Sequence, residues 1–194
     1  MEQVVANESI QVALSGLFAP LLEGGMSEDA LADLAADMQT THRELMARRG
    51  KDLGFYDLPL EPDVAKSVQA EVRRLRSIAD DLIVLGIGGS SLGGQALLGA
   101  LVPKTRAGHG VHFLDNVDPA TVASLLGELK PDTTAVVVIT KSGGTVETLA
   151  QFLIVRRWLK ASLGQGEARN RMVFVTDPER GILRDLANSE GIRA

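Results

Sequence analysis

The segment that decides the fold is DLIVLGIGGSSLGG, residues 81–94, in which a short apolar run is followed directly by glycines and serines. The run Leu82–Leu85 is nearly continuous rather than alternating, which is typical of a strand buried on both faces of a parallel sheet. Glycines after such a strand let the backbone approach a ligand closely and adopt positive φ. We therefore predict a buried strand that ends at a glycine-rich loop and is followed by a helix.

The same arrangement recurs along the chain in three further apolar runs: Val111–Leu114, Ala135–Ile139 and Met172–Val175. A helical segment follows each of the four runs, at about residues 91–101, 119–129, 145–163 and 179–189. Strands that alternate with helices are joined by right-handed crossovers and form a parallel sheet. The sequence therefore predicts an α/β fold with a doubly wound parallel sheet.

The first part of the chain, residues 1–79, lacks this alternation and is predicted to be a helical N-terminal extension. Ser27 precedes two acidic residues and is a good N-cap for a first helix, which Gly50 can end. A second helix is expected to begin at about Pro62, after an irregular connection. The predicted boundary places the α/β domain at residues 80–194.

Composition excludes several classes of function. With no cysteine, disulfide scaffolds, cysteine-ligated zinc, iron–sulfur clusters and thiol nucleophiles are all ruled out. A formal net charge of −5 argues against a nucleic-acid-binding protein, which usually presents a basic face. The sequence has no apolar stretch of membrane-spanning length and no basic region at its N-terminus. We therefore expect a soluble, cytoplasmic protein with no metal site and no membrane association.

The glycine-rich loop at residues 86–94 allows three interpretations. A Walker A loop needs a lysine after its last glycine, whereas this chain has Gln95 there. A dinucleotide fingerprint G-x-G-x-x-G fits imperfectly because its sixth position is Ser91, although Asp115 could bind a ribose. The third interpretation is a phosphate cradle for a small molecule, and the simplest alternative to all three is a glycine turn required for packing.

A second polar loop, Thr140–Thr148, follows the third strand with the sequence TKSGGTVET. A single helix cap would explain one of its hydroxyls but not four together with two glycines and a lysine. Glu147 in the first turn of the next helix can simply favour the helix dipole. The first and third strands of a doubly wound sheet can be neighbours, so two helix N-termini would converge on one anion. That arrangement suits a phosphate monoester better than a dinucleotide.

At this point a family resemblance becomes specific. GIGGSSLG at residues 86–93 and TKSGGTVET at 140–148 resemble the sugar isomerase (SIS) domain of the glucose-6-phosphate isomerase family, and HFLDNVDP at 112–119 extends the similarity. The resemblance covers most of residues 50–190 and is strongest for bacterial members. It implies a flavodoxin-like SIS domain over residues 80–194. The family usually has serine where this chain has Thr140.

The resemblance also implies roles for individual residues. Gly89 and Ser90 match first-loop positions that contact the sugar phosphate. The second-loop phosphate site is implied for six consecutive residues: Thr140, Lys141, Ser142, Gly143, Gly144 and Thr145. Glu147 matches an acidic residue near the catalytic centre, with a supporting role in ring opening. No metal and no cofactor is implied.

The family interconverts glucose 6-phosphate and fructose 6-phosphate, using a histidine and a lysine for ring opening, a glutamate for proton transfer and an arginine for charge stabilisation. In the family these groups lie downstream of the matching segment, and His42, His109 and His112 match none of them. We therefore expect an N-terminal portion without the second SIS domain, inactive by itself. The full-length enzyme is expected to be a cytoplasmic homodimer that binds sugar phosphates and no nucleic acid.

Two other functions remain open. A stand-alone SIS module could sense a sugar phosphate and regulate a partner without carrying a catalytic half. A nicotinamide-dependent oxidoreductase could instead use the loop at residues 86–93 together with Asp115.

Overall fold

A computed structural model describes residues 15–18, 22–102 and 110–194, so that His109 lies outside the described residues. By its internal contacts the chain divides into two units, residues 1–65 and 66–194. Among the described residues, no helix combines the length and the apolar content needed to cross a bilayer.

The described part of the first unit is helical. Helix α1 spans Glu28–Arg48, and Ser27 caps it by accepting a hydrogen bond from the N–H of Ala30 at 3.1 Å, as its position in the sequence predicts. Gly50 follows the helix with a φ of +72°. Two short 3-10 turns come next, at Gly54–Tyr56 and Leu58–Leu60. Helix α2, Pro62–Arg76, begins where the sequence predicts.

The second unit is built on a four-stranded sheet in which every pair of neighbours is parallel. Its strands are β1 (Asp81–Leu85), β2 (Gly110–Leu114), β3 (Thr134–Ile139) and β4 (Met172–Val175). The order across the sheet is β2-β1-β3-β4, so the predicted adjacency of the first and third strands is confirmed. Leu85 at the end of β1 is in register with Leu114 of β2 on one side and Val138 of β3 on the other.

A helix follows each strand, which confirms the predicted α/β alternation. The helices are α3 (Leu92–Leu101), α4 (Pro119–Glu128), α5 (Val146–Asn170) and α6 (Ile182–Glu190). The helical segment predicted to end at about residue 163 does break there, although α5 as a whole does not end. Gly164 leaves helical geometry with φ 75° and ψ 174°, but the helix resumes after it and reaches Asn170.

The core of the second unit lies between the sheet and α5. Ile83 of β1 and Val136 of β3 are 0% exposed, and Phe152 and Val155 of α5 are almost as fully buried. Phe152 also meets Phe174 of β4 edge to face, with ring centroids 5.2 Å apart. Each of these side chains contributes about 1.5–3 kcal/mol to stability by leaving water. Helix α5 is therefore fixed over the centre of the sheet, and so is the loop that precedes it.

The strand order creates a switch point between β1 and β3. The chain leaves β1 toward β2 on one side, and it later returns to add β3 on the other side of β1. In open α/β sheets, ligands bind in the crevice outside the carboxyl ends of the strands at such a switch point. The loops after β1 and β3 are those that open on this crevice.

Candidate functional site

The first loop begins at Gly86, where the backbone is closely packed. A Cβ atom at Gly86 would lie 2.9 Å from both the Cβ and the carbonyl oxygen of Ser90, and 3.2 Å from the carbonyl oxygen of Ile139. Ile139 is the last residue of β3, so the two strand ends approach each other here. The absence of a side chain at Gly86 therefore lets the first loop fold back beside the start of the second.

The residues after Gly86 form a tight 3-10 turn at Gly88–Ser90, in which Gly88 has a φ of +58°. The N–H of Ser91 donates to the carbonyl of Gly88 at 3.0 Å and closes the turn. Gly88 and Gly89 are exposed, and nothing lies within 4 Å of a Cβ built on Gly89. The turn thus presents open backbone to solvent immediately before α3.

Ser91 is 1% exposed and does not cap α3 with its side chain. Its hydroxyl instead accepts a hydrogen bond from the side-chain nitrogen of Gln95, one turn into α3. The same nitrogen donates to Oδ2 of Asp115 at 2.8 Å. Asp115 directly follows β2, so Gln95 connects the first loop to the neighbouring strand end.

The second loop is closed by its own hydroxyls. Thr140 is 3% exposed, and its Oγ1 lies 2.8 Å from Oγ1 of Thr145. Within the loop, the N–H of Gly143 donates to the carbonyl of Thr140 at 3.2 Å, and the N–H of Gly144 donates to Oγ of Ser142 at 3.3 Å. Thr145 occupies the N-cap position of α5, but neither its hydroxyl nor that of Ser142 caps the helix. The hydroxyls shape the loop rather than satisfy the helix.

The helices that follow the two loops begin without the side-chain caps that α1 and α4 have. Ser27 caps α1, and Asp118 caps α4 by accepting from the N–H of Thr121 at 2.7 Å. Helices α3 and α5 have no side-chain cap among the described residues, and α6 begins in the same way. First-turn N–H groups carry a partial positive charge and no intrahelical acceptor. Two sets of donors are thus available where the crevice opens, a suitable arrangement for an anion.

The segment between β4 and α6 packs against the second loop. Gly181 has a φ of +103°, and a Cβ there would lie 2.5 Å from the carbonyl oxygen of Ser142. A Cβ on Gly143, whose φ is +69°, would lie 3.3 Å from the backbone of Gly181 and 3.2 Å from Oγ1 of Thr176. The N–H of Leu183 donates to the carbonyl of Gly143 at 3.3 Å. The shape of the second loop therefore depends on two facing glycines.

The residues implied by the sequence fall into two groups by exposure. Thr140 and Gly143 are buried within the second loop. The others are exposed or half-buried around the two loop rims: Gly89, Ser90, Lys141, Ser142, Gly144, Thr145 and Glu147. The fold places all of them on two adjacent strand ends at the switch point. They offer hydroxyls, backbone N–H groups and one ammonium, which together form a donor-rich surface.

Several titratable side chains near the sheet have hydrogen-bond partners of their own. His112 pairs with Asp81 at 2.8 Å, at the amino end of β1 and away from the loops. Among the residues that the structure describes, no group of carboxylates and histidines is arranged to hold a metal ion. Hydrogen bonds from Thr121 hold the pKa of the Asp118 carboxyl below its ordinary value. Those from the N–H groups of Glu179 and Arg180 lower the pKa of Asp177 in the same way.

Three residues that shape this region were not predicted from the sequence: Gln95, Gln151 and Gly181. Gln95 stands four residues after Ser91, a spacing that places both on one helix face. Gln151 interrupts an otherwise apolar helix face, and a buried polar residue of that kind needs a partner. The signal for Gly181 was weaker, since its sequence TDPERG resembles an ordinary turn.

Comparison with family models gives one match that covers most of the second unit. The model described as phosphoglucose isomerase matches residues 69–182, and this range includes both loops and the segment between β4 and α6.

Curated relatives agree with that match. The chain is 38% identical over 172 residues to a glucose-6-phosphate isomerase of Thermus thermophilus, covering 86% of this chain and 40% of that protein. It is 35% identical over 198 residues to the glucose-6-phosphate isomerase of Carboxydothermus hydrogenoformans, covering 95% of this chain and 42% of that protein. The chain therefore spans about two fifths of the length of these relatives.

Solved structures confirm the fold. A hypothetical protein from Thermus thermophilus superposes with a TM-score of 0.71 and 38% identity, over 86% of this chain and 40% of that one. A glucose-6-phosphate isomerase from Chlamydia trachomatis gives a TM-score of 0.50 and 29% identity, over 60% of this chain and 23% of that one.

Proposed function

Because the chain belongs to the phosphoglucose isomerase family, we propose that it supplies the sugar-phosphate-binding loops of a glucose-6-phosphate isomerase. The enzyme would interconvert glucose 6-phosphate and fructose 6-phosphate. One observation carries this proposal: two helices without side-chain caps begin at hydroxyl- and glycine-rich loops on adjacent strands. The family match favours this proposal over the nicotinamide-dependent alternative, which relied on the first loop and Asp115 and gave the second loop no role.

The phosphate group would be held by both loops. A phosphate monoester carries up to two negative charges and three oxygens that accept strong hydrogen bonds. The N–H groups at the starts of α3 and α5 supply donors, and Gly89 and Gly144 leave space for a close approach. Ser90, Ser142 and Thr145 add hydroxyl donors, while Lys141 adds a full positive charge. Thr140 and Gly143 shape the second loop from within.

The isomerisation chemistry needs more than this donor surface. Moving a proton between two carbons requires a base placed at the carbon and an acid for the ring oxygen. The two loops of the described structure offer Glu147 and Lys141 as titratable groups and no imidazole. We assign Glu147 a supporting role in ring opening and expect the 194-residue chain to bind sugar phosphate without isomerising it.

The remaining properties of the enzyme follow from its family. The residues 80–194 form the SIS domain in this proposal, with residues 1–79 as a helical extension. The whole enzyme would be a cytoplasmic homodimer that uses no cofactor. The net charge of −5 on the 194-residue chain supports a protein without nucleic-acid partners.

Calorimetric titration of the purified chain with fructose 6-phosphate tests the proposal. The Lys141→Ala variant removes one charge-assisted contact worth about 1.5–3 kcal/mol, so its Kd should rise about ten- to hundredfold. Lys130→Ala is the matched control, because Lys130 is exposed and lies before β3, at the opposite edge of the sheet. Equal affinities of the two variants for fructose 6-phosphate would show that the second loop is wrongly assigned.

A second titration, with NAD, separates the oxidoreductase alternative. That alternative predicts NAD binding that is weakened by Asp115→Ala and unaffected by Lys141→Ala. The phosphate-site proposal predicts that neither variant changes NAD binding, because the wild-type chain has no dinucleotide site.

A further inference from the structure

We propose that Asp115–Asp118, the segment after β2, forms a third wall of the sugar-phosphate site, and that Gln95 and Gln151 are positioning residues that hold this wall against the two phosphate loops. The inference rests on the proposed function, which it deepens by assigning the part of the site that faces the sugar hydroxyls.

The segment starts beside the first loop. Leu114 at the end of β2 is in register with Leu85 at the end of β1, and the N–H of Gly86 reaches the carbonyl of Leu114 at 3.4 Å. The other end is held by Asp118, which caps α4. Asp115 and Asn116 lie between these two fixed points and are exposed at the carboxyl edge of the sheet.

Gln151 fixes the middle of the segment from the α5 side. Its side chain is 1% exposed and lies on the face of α5 that also buries Phe152 and Val155. The side-chain nitrogen donates to the carbonyl oxygen of Asn116 at 2.6 Å. An amide in an apolar core is costly unless it is hydrogen-bonded. The nitrogen is bonded to a backbone carbonyl 35 residues earlier in the chain, whereas the amide oxygen has no partner among the described residues. Leucine or methionine could not make the bond to Asn116.

Gln95 fixes the segment from the α3 side. Its one side-chain nitrogen donates both to Oγ of Ser91 and to Oδ2 of Asp115, so both of its N–H groups are used. Ser91 follows directly on Ser90 of the first loop, and it is buried. A shift of Asp115 would therefore move the first turn of α3, where we place phosphate donors.

The chemistry of the segment complements that of the loops. The loops offer donors and positive charge, whereas Asp115 and the amide of Asn116 offer oxygen acceptors. A carboxylate repels phosphate but accepts hydrogen bonds from sugar hydroxyls. The wall would thus recognise the polyhydroxyl part of the ligand and orient it away from the phosphate.

The test compares Gln151→Met with Thr148→Val in the full 194-residue chain. Methionine keeps the volume of Gln151 but removes the hydrogen bond to Asn116. Thr148 lies one turn earlier on the same buried face, and its hydroxyl has no partner among the described residues, so valine keeps the shape and removes no contact. Each variant is titrated with fructose 6-phosphate and with inorganic phosphate, and amide exchange is followed at residues 116–118.

For Gln151→Met we expect fructose 6-phosphate to bind about two- to tenfold more weakly, because one hydrogen bond is lost. The affinity for inorganic phosphate should not change, and amide exchange at residues 116–118 should become faster. Thr148→Val should match the wild type in all three measurements. If Gln151→Met fails to fold, Gln151→Leu, which also lacks the amide, carries the same expectation. Gln95→Met should weaken the binding of both ligands, because Gln95 also holds Ser91 beside the phosphate donors.

If Gln151→Met binds fructose 6-phosphate as the wild type does, or binds both ligands equally more weakly, the proposal of a third wall is overturned and the proposed function is left intact. A wild-type chain that binds neither ligand would overturn the proposed function itself, and with it this inference.

Discussion

The hydroxyls of Thr140 and Thr145 are hydrogen-bonded to each other across the second loop, with their Oγ1 atoms 2.8 Å apart. Each hydroxyl could have capped α5 or faced solvent, yet the pair closes the loop on itself. The loop therefore enters α5 with the helix N–H groups unoccupied by side chains of the described structure.

Replacing Thr140 by valine tests this pairing. The change conserves shape and removes one buried hydroxyl, so the free energy of unfolding should fall by about 0.5–1.5 kcal/mol. Fructose 6-phosphate should also bind more weakly, since Thr145 is no longer held. Denaturant unfolding and calorimetric titration measure the two effects. Wild-type affinity in Thr140→Val would mean that the pair has no part in shaping the site.

Alanine at Gly86 should destabilise the second unit. Its Cβ would overlap the backbone and side chain of Ser90 and crowd Ile139, a degree of overpacking that costs about 1–3 kcal/mol. Gly127→Ala in α4 is the control, because nothing lies within 4 Å of its Cβ and alanine favours a helix by about 0.5–1 kcal/mol. Chemical denaturation should thus shift the two midpoints in opposite directions; shifts of the same sign would contradict the close approach at Gly86.

Alanine at Gly181 should affect ligand binding as well as stability. Gly181 and Gly191 both have positive φ. Left-handed geometry costs an alanine at Gly191 about 1–2 kcal/mol, and the backbone of Gly181, with φ 103° and ψ 159°, costs an alanine about 1–3 kcal/mol. A Cβ at Gly181 would in addition lie 2.5 Å from the carbonyl of Ser142, whereas at Gly191 the nearest atom is 3.7 Å away. Gly181→Ala should therefore weaken fructose 6-phosphate binding and Gly191→Ala should not. Equal affinities would show that the second loop tolerates displacement of its support.

Acid should remove the contribution of Asp118 to stability. Hydrogen bonds from Thr121 lower the pKa of its carboxyl, so the ionised form stabilises the folded chain above the unfolded pKa of about 3.9. This stabilisation is lost as the pH falls below about 3.9 and through the lower pKa of the folded state. Asparagine also caps helices but does not titrate in this range.

The stability of Asp118→Asn relative to the wild type, measured by thermal unfolding, should therefore rise as the pH drops below about 4. A constant difference between the two proteins from about pH 6 to about pH 2.5 would contradict the role of Asp118 as an ionised cap.

The framework of the second unit could be predicted from the sequence because its central strands, β1 and β3, are mostly buried. The four apolar runs match the observed strands to within one residue, and the adjacency of β1 and β3 followed from doubly wound topology. Burial leaves few alternatives for a run such as Ala135–Ile139, since any other element would expose it to water.

Details of the site depend on contacts that the sequence does not encode locally. The hydroxyl of Thr145 can cap α5 or pair with Thr140, and the choice depends on how the loop folds in three dimensions. The partner of Gln151 is a carbonyl on another loop, and the need for glycine at position 181 arises from the carbonyl of Ser142. Such requirements become visible only when the strand ends are placed side by side.

The absence of side-chain caps on α3 and α5 in the described structure has a consequence for how this protein can change over evolutionary time. Donors that belong to the backbone survive almost every substitution, because each residue except proline carries the same N–H group. At the proposed phosphate site, a mutation of one hydroxyl would weaken ligand binding without abolishing it, so loop side chains could change while the backbone donors remain. Proline in the first turn of either helix is the single-residue change that would delete such a donor outright.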